Sequence, residues 1–180
     1  MADFEKIVQW LLYIEDDHKI PGKILNEGDG AGLTRLGLTQ RWHQADVPMT
    51  YFSTLPFKDA VVAAKAAYHK LYWNILDGDQ IDSDQVAAPL LSFAVNDSPR
   101  VAVKTLQSVL GVLEDGQMGP NTLAELNSKD PDVVVRLYKA EWIGFYQRDV
   151  QLNPSKQKFL QGWINRANFP YPAQIGDLYQ

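Results

Sequence analysis

Residues 4–15, with the sequence FEKIVQWLLYIE, contain the pattern that decides the fold. Their apolar side chains recur at the spacing of one face of an α-helix: Phe4, Ile7, Val8, Leu11, Leu12 and Ile14. The stretch therefore predicts a helix that ends near Glu15. Residues 16–32, which follow, are mostly polar and contain Pro21 and four glycines, which predicts a long loop or a short hairpin.

Signals for helix starts recur along the rest of the chain. They stand at Thr39, Pro56, Asp82-Ser83, Ser98-Pro99, Gly119-Pro120, Asp130-Pro131 and Asn153-Pro154, and apolar residues follow each at helical spacing. Pro89 lies inside one of these stretches, so it should either kink that helix or mark its start. The only candidate strands flank the loop between Lys19 and Leu38. We predict an all-α fold with a possible short β-hairpin between residues 16 and 38.

The length of 180 residues fits one domain or a domain with a small appendage. A polar turn near Asn96 is the best candidate boundary. We therefore divide the chain into an N-terminal part, 1–97, and an appended helical part, 98–180, packed as one unit with the first.

Composition excludes several classes of function. The net charge is −5 and no dense run of Lys or Arg occurs, so nucleic acid is an unfavourable partner. The chain has no cysteine, which excludes disulfides and thiolate metal sites. Its first residues lack a basic region and a long apolar run, which predicts cytoplasmic synthesis without a signal peptide and no membrane insertion.

Glu15 is the strongest candidate for chemistry. Apolar neighbours and the negative end of the helix dipole both disfavour a charged carboxylate there. A carboxylic acid that stays protonated can donate a proton to the leaving oxygen of a glycosidic bond. The alternative is an ordinary surface glutamate at a helix end.

Asp29 and Thr34 lie in the glycine-rich segment Asp29-Gly30-Ala31-Gly32-Leu33-Thr34. Glycines let the backbone turn tightly, so a carboxylate and a hydroxyl could approach a ligand together. A turn in which Asp29 bonds to its own backbone is the simpler reading of the same residues. The nearby acidic residues and His18 do not follow a calcium or zinc spacing, so we expect no metal and no cofactor.

A series of motifs runs along the chain: Glu15, the segment from Asp29 to Thr34, Gly37-Leu38-Thr39, Tyr72-Trp73-Asn74, Phe93-Ala94-Val95-Asn96, Leu106-Gln107, the segment from Asp115 to Thr122, and Gly162-Trp163-Ile164-Asn165-Arg166. In this order they resemble glycoside hydrolase family 108, the N-acetylmuramidases with a lysozyme-like fold and a C-terminal peptidoglycan-binding region. The resemblance covers roughly residues 4–170 and implies that 1–97 is the catalytic domain and 98–180 the peptidoglycan-binding-like subdomain. In place of the family's Gly-Gly-Tyr after the catalytic Glu, this chain has Asp16, Asp17 and His18.

The resemblance implies a peptidoglycan hydrolase that cleaves the β-1,4 bond between N-acetylmuramic acid and N-acetylglucosamine. Glu15 would be the general acid, Asp29 would stabilise the oxocarbenium-like transition state or position water, and Thr34 would orient water or substrate. We expect Thr39, Tyr51, Trp73 and Asn96 to bind the glycan strand. For Tyr51 and Trp73, packing in the core explains the pattern equally well.

Two other functions remain open. A non-catalytic peptidoglycan-binding component of a phage tail or injection machine would bind cell wall without cleaving it, and a lytic transglycosylase would use the same Glu15 without water. A phage or prophage endolysin, or a delivered effector, would act in the periplasm or cell wall after release, injection or secretion. A holin or delivery machine and an immunity protein are therefore possible partners.

Overall fold

A computed structural model of the protein describes residues 1–16, 20–26, 28, 30–172 and 179. The chain is mainly helical, with α1 (Phe4–Glu15), α2 (Gln40–His43), α3 (Phe57–Tyr68), α4 (Asp84–Asn96), α5 (Pro99–Leu110), α6 (Pro120–Asn127), α7 (Pro131–Leu152) and α8 (Gln157–Asn168). Short π and 3-10 segments cover His69–Trp73, Gly78–Gln80 and Pro154–Lys156. The predicted fold class is confirmed. α4 begins five residues before Pro89, so this proline does not mark the start of the helix.

The small sheet has three antiparallel strands, β1 (Leu25–Asn26), β2 (Leu33–Arg35) and β3 (Leu38–Thr39). Strands β2 and β3 are joined by a two-residue turn, in which Leu36 has φ 48° and Gly37 has φ 76°. Two successive positive φ angles are typical of a type I′ hairpin turn. A leucine rarely adopts this conformation, and here burial holds it, since Leu36 is only 1% exposed.

The chain divides into two compact units. The N-terminal unit comprises Glu5–Leu71 and Gln174–Gln180, and the C-terminal unit comprises Met1–Phe4 and Tyr72–Ala173. In the sequence, the main change from one unit to the other lies near Tyr72. The assignment of a catalytic and a binding part to the two sides of residue 97 stays a prediction.

The core of the N-terminal unit joins the apolar face of α1 to the hairpin and α3. Its fully buried side chains include Ile7, Val8, Leu11, Leu12, Leu36, Leu38, Tyr51, Ala64 and Tyr68. The salt bridge between Lys65 and Glu5 lies at the surface, where such pairs contribute little to stability. Burial of the α1 face thus positions the end of this helix beside the hairpin.

The core of the C-terminal unit surrounds α4. All nine residues from Val86 to Ala94 are buried, and α4 packs against α5, α7 and α8. Phe93 stacks on Trp142 of α7 with ring centroids 4.7 Å apart. A helix that is apolar on all sides is typical of the centre of a helical bundle. In the part of the chain that the structure describes, no helix is both long and apolar enough to cross a membrane.

Candidate functional site

Glu15 is the last residue of α1 and follows the buried face of that helix. Its side chain is partly exposed, whereas the next residue, Asp16, is buried. The amide of Asp16 donates to the carbonyl of Leu12 at 3.0 Å, so the helical hydrogen-bond pattern extends past Glu15. The predicted end of the helix is therefore confirmed, and it leaves Glu15 at the edge of the apolar core.

The turn between β2 and β3 contacts Glu15. A Cβ atom at Gly37 would lie 2.7 Å from the Cβ and 2.9 Å from the Cγ of Glu15, and it would also overlap the Tyr68 hydroxyl. Only glycine fits at this point, because the backbone passes directly against these two side chains. The Tyr68 hydroxyl donates to the Leu36 carbonyl at 2.9 Å, and this bond holds the turn in place.

Thr34 and Thr39 are direct partners across β2 and β3. The sequence predicted both as site residues, and the structure places them in the same hairpin whose turn touches Glu15. His43, which the sequence analysis missed, lies against Thr39, whose amide donates to the His43 Nδ1 at 3.0 Å. Burial lowers the pKa of His43, which favours the neutral ring that can accept this bond. The signal that could have identified this pair was the spacing of four residues between Thr39, which caps α2, and His43 in the same helix.

Asp29 lies outside the described residues, as do Asp17, His18 and Glu27. The catalytic role of Asp29 therefore stays a prediction. Among the residues that the structure does describe, no three metal-ligating side chains come together.

The two aromatic candidates are buried. Tyr51 is 0% exposed and donates from its hydroxyl to the Arg35 carbonyl at 3.1 Å. Trp73 is 1% exposed and donates from Nε1 to Asp79 Oδ1 at 2.8 Å. Neither ring presents a face to solvent, which favours the alternative of core packing for both. Trp73 also borders a cavity of about 310 Å³ that residues 74 and 77–80 line.

Asn96 closes α4, and its side-chain amide donates to the Tyr146 hydroxyl of α7. Asn96 and Trp73 belong to the C-terminal unit, whereas Glu15, Thr34, Thr39 and Tyr51 belong to the N-terminal unit. The structure therefore brings Glu15, Thr34 and Thr39 together around one hairpin. The substrate-binding role of Asn96 stays a prediction.

Arg35 holds the loops around the hairpin, a role that no motif or spacing in the sequence predicted. It is 6% exposed, and its guanidinium donates to the carbonyls of Gly22, Tyr51 and Leu55, each at 2.9 Å. Three backbone acceptors of distant segments thus converge on one cation, where each charge-assisted bond is stronger than a neutral one. These three bonds tie the hairpin to the segments around Gly22, Tyr51 and Leu55.

Asp16 provides a second buried anchor. Its Oδ2 accepts hydrogen bonds from the Gly22 amide at 2.8 Å and from the Tyr179 hydroxyl at 2.9 Å. Burial and the bond to Asp16 raise the pKa of Tyr179, which therefore stays protonated and donates. Asp16, one of the residues that replace the Gly-Gly-Tyr motif, thus holds the chain beside Glu15 in place.

Gln107 explains the motif that runs from Leu106-Gln107 to Thr122. Its side-chain amide nitrogen donates to Asp115 Oδ1, the Gln117 carbonyl and the Thr122 hydroxyl at 2.8, 3.0 and 3.1 Å. Its oxygen accepts from the Gly116 amide at 2.8 Å. Gln107 is 1% exposed, so all of its polar atoms are satisfied inside the protein. These motif residues close the loop between α5 and α6.

The comparison with protein families matches a segment of the C-terminal unit. Residues 101–168 match a family model described as "Predicted Peptidoglycan domain". The structure is similar to the structure of Brucella abortus SagA, with a TM-score of 0.69 and 25% sequence identity, over 91% of this chain and 88% of that chain. No curated protein matches the chain. These findings support a peptidoglycan-associated protein, whereas membership of glycoside hydrolase family 108 stays a prediction.

Proposed function

We propose that the chain is a muramidase that hydrolyses the β-1,4 bond between N-acetylmuramic acid and N-acetylglucosamine in peptidoglycan. The observation that carries the proposal is the position of Glu15 at the end of an apolar helix, with the glycine turn of the hairpin packed against its side chain. A carboxyl group held between an apolar core and a rigid turn has a fixed direction, which general acid catalysis requires. The comparisons add peptidoglycan as the associated polymer.

In this mechanism Glu15 donates its proton to the glycosidic oxygen as the bond from that oxygen to the sugar C1 breaks. The leaving sugar departs as an alcohol, and the oxocarbenium-like centre at C1 is attacked by water, whose proton passes to a carboxylate. Thr34 would orient the water or the substrate, and Asp29 would stabilise the positive centre. Such a protein would act after release through a membrane pore or after delivery by an injection or secretion machine.

Digestion of purified peptidoglycan tests this proposal. Wild type and Glu15→Gln would be incubated at about pH 4 to 8, and the products identified by mass spectrometry. We expect reducing muramic acid ends from wild type and a loss of at least about a hundredfold in the variant, which keeps the shape of the side chain but cannot donate the proton. Glu5→Gln on the exposed start of α1 is the matched control and should retain activity.

Product chemistry separates the alternatives. Anhydromuramic ends that require Glu15 would replace the proposal with a lytic transglycosylase. Absence of any product, together with binding to insoluble peptidoglycan, would contradict hydrolysis and leave a binding component. One observation favours that second candidate, because the family match begins at residue 101 and does not include Glu15.

A further inference from the structure

A groove of about 210 Å³ lies between α5 and α7 in the C-terminal unit. We call it the charged groove and define it by Lys104, Glu114, Glu141, Phe145 and Arg148. Hydroxyl groups of Thr105 and Ser108 complete its wall. The groove therefore presents two cations, two carboxylates and one aromatic surface to a ligand.

The charges in the groove are not all used within the protein. Arg148 Nη2 and Glu141 Oε1 form a salt bridge of 2.6 Å along α7. Lys104, on the facing helix, has no salt-bridge partner among the described residues, and Glu114 is exposed with none there either. Lys104 and Glu114 thus remain available for a ligand that carries both signs of charge. Arg148, whose side chain is 58% exposed, also keeps its other guanidinium N–H groups for a ligand.

Gly144 leaves room on α7 for the side chain of Arg148. It lies in the interior of a 22-residue helix, where glycine lowers helix stability relative to alanine. A Cβ atom there would lie 3.1 Å from Arg148 Nη1. The guanidinium therefore lies back across the helix over Gly144, and this places it beside Glu141 and Phe145.

All of the groove's lining residues fall within 101–168, the stretch that matches the peptidoglycan domain model. Peptidoglycan offers two kinds of ligand, a glycan strand and a short stem peptide. Glycan recognition uses exposed aromatic faces, and the charged groove has only the partly exposed Phe145. The stem peptide carries carboxylates and, at its diamino acid, an ammonium group, which are the partners that the two cations and two carboxylates would bind.

We propose that the charged groove binds the stem peptide of peptidoglycan, with ligand carboxylates on Lys104 and Arg148 and the ammonium group on Glu114. This inference deepens the proposed function, since it assigns a second contact with the same polymer. It predicts that the C-terminal unit recognises the peptide part of the substrate rather than its sugars.

Isothermal titration of the full-length protein with a synthetic stem tetrapeptide containing meso-diaminopimelate tests the proposal. The tetrapeptide has no glycosidic bond, so binding is measured without turnover. We expect Lys104→Met to weaken binding by about tenfold or more, because one charge-assisted contact is lost. Lys129→Met, at an exposed position on the neighbouring segment, is the matched control and should bind like wild type.

A second variant tests the geometry. Gly144→Ala should make α7 more stable and shift the Arg148 guanidinium by a few tenths of an ångström, so weaker peptide binding with an unchanged or higher melting temperature supports the site. Equal binding by wild type and Lys104→Met, or binding of chitotetraose but not of the tetrapeptide, would overturn it. If the protein is active but does not bind the tetrapeptide, only this inference is contradicted. If it is inactive but binds the tetrapeptide in the groove, only the proposed muramidase activity is contradicted.

Discussion

Two loops of the molecule are each closed by one buried polar side chain, and the two side chains differ in charge and reach. Gln107 is neutral, and its partners lie 8 to 15 residues farther along the chain. Arg35 is charged, and its partners lie 13 to 20 residues away in both directions. The loop beside Glu15 therefore depends on contacts between separate segments, whereas the loop between α5 and α6 is encoded in one continuous stretch.

Gln107 and Arg35 also differ in what their burial costs in free energy. A buried amide needs only its hydrogen bonds, and Gln107 has them all. A buried guanidinium must also recover the hydration that its charge has lost, so its removal or misplacement is costly. We therefore expect the region around Glu15 to be the more sensitive of the two to substitution.

Arg35→Met should have the largest effect. It removes three charge-assisted bonds to the carbonyls of Gly22, Tyr51 and Leu55, and we expect the free energy of unfolding to fall by about 3 to 4 kcal/mol. Urea denaturation followed by circular dichroism measures this loss. Arg41→Met, at an exposed arginine on α2, should change it by less than about 0.5 kcal/mol. Equal effects at the two positions would show that Arg35 is not an anchor.

Gln107→Leu should follow, with a loss of about 2 to 3 kcal/mol. Leucine fills the space but leaves the Gly116 amide and the buried Thr122 hydroxyl without their partner. The same denaturation experiment applies, with Gln147→Leu on the exposed face of α7 as the control. A loss larger than that of Arg35→Met would reverse the ranking of the two loops.

Gly37→Ala should cost about 2 kcal/mol and also reduce any activity that depends on Glu15. The new methyl group combines a positive φ with overlap of Glu15 and Tyr68. Gly30→Ala is a matched control, because Gly30 has φ 81° but nothing within 4 Å of the added atom. It should show only the conformational cost of about 1 kcal/mol. If both variants lose equal stability and no activity, the close contact with Glu15 has no functional importance.

Tyr179→Phe should have the smallest effect at neutral pH, about 1 kcal/mol, through the lost bond to Asp16. Because folding raises the pKa of Tyr179 above its ordinary value of 10.0, the folded protein favours the neutral phenol. The stabilisation is therefore complete below pH 10 and is lost as the pH rises beyond it. The gap in stability between wild type and Tyr179→Phe should shrink in denaturation curves above that pH, and a constant gap would contradict the buried bond.

The helices could be predicted because their determinants are local. Ser98 and Asp130 stand directly before their helices, and each side chain accepts a bond from the first turn. The end of α1 and the hairpin follow from apolar spacing and glycines in the same way. The fold class is confirmed for these reasons.

The site could be predicted only in part. Glu15, Thr34 and Thr39 converge on one hairpin, but no pattern in the sequence indicated that Arg35 donates to three carbonyls. Tyr51 and Trp73 look like sugar-binding aromatics in a sequence, and only packing shows them to be buried. Long-range contacts of this kind leave no spacing that could be recognised, because their partners are set by tertiary structure.

The bond between Asp16 and Tyr179 also bears on how the protein is made. It joins residues 163 positions apart, so the ribosome must add all of the intervening chain after Asp16 before the bond can form. At a synthesis rate of about 5 to 20 residues/s this takes roughly 8 to 33 s. During that interval Asp16, the residue next to Glu15, lacks one of its two buried hydrogen bonds, so the packing around it is completed only after Tyr179 has been added.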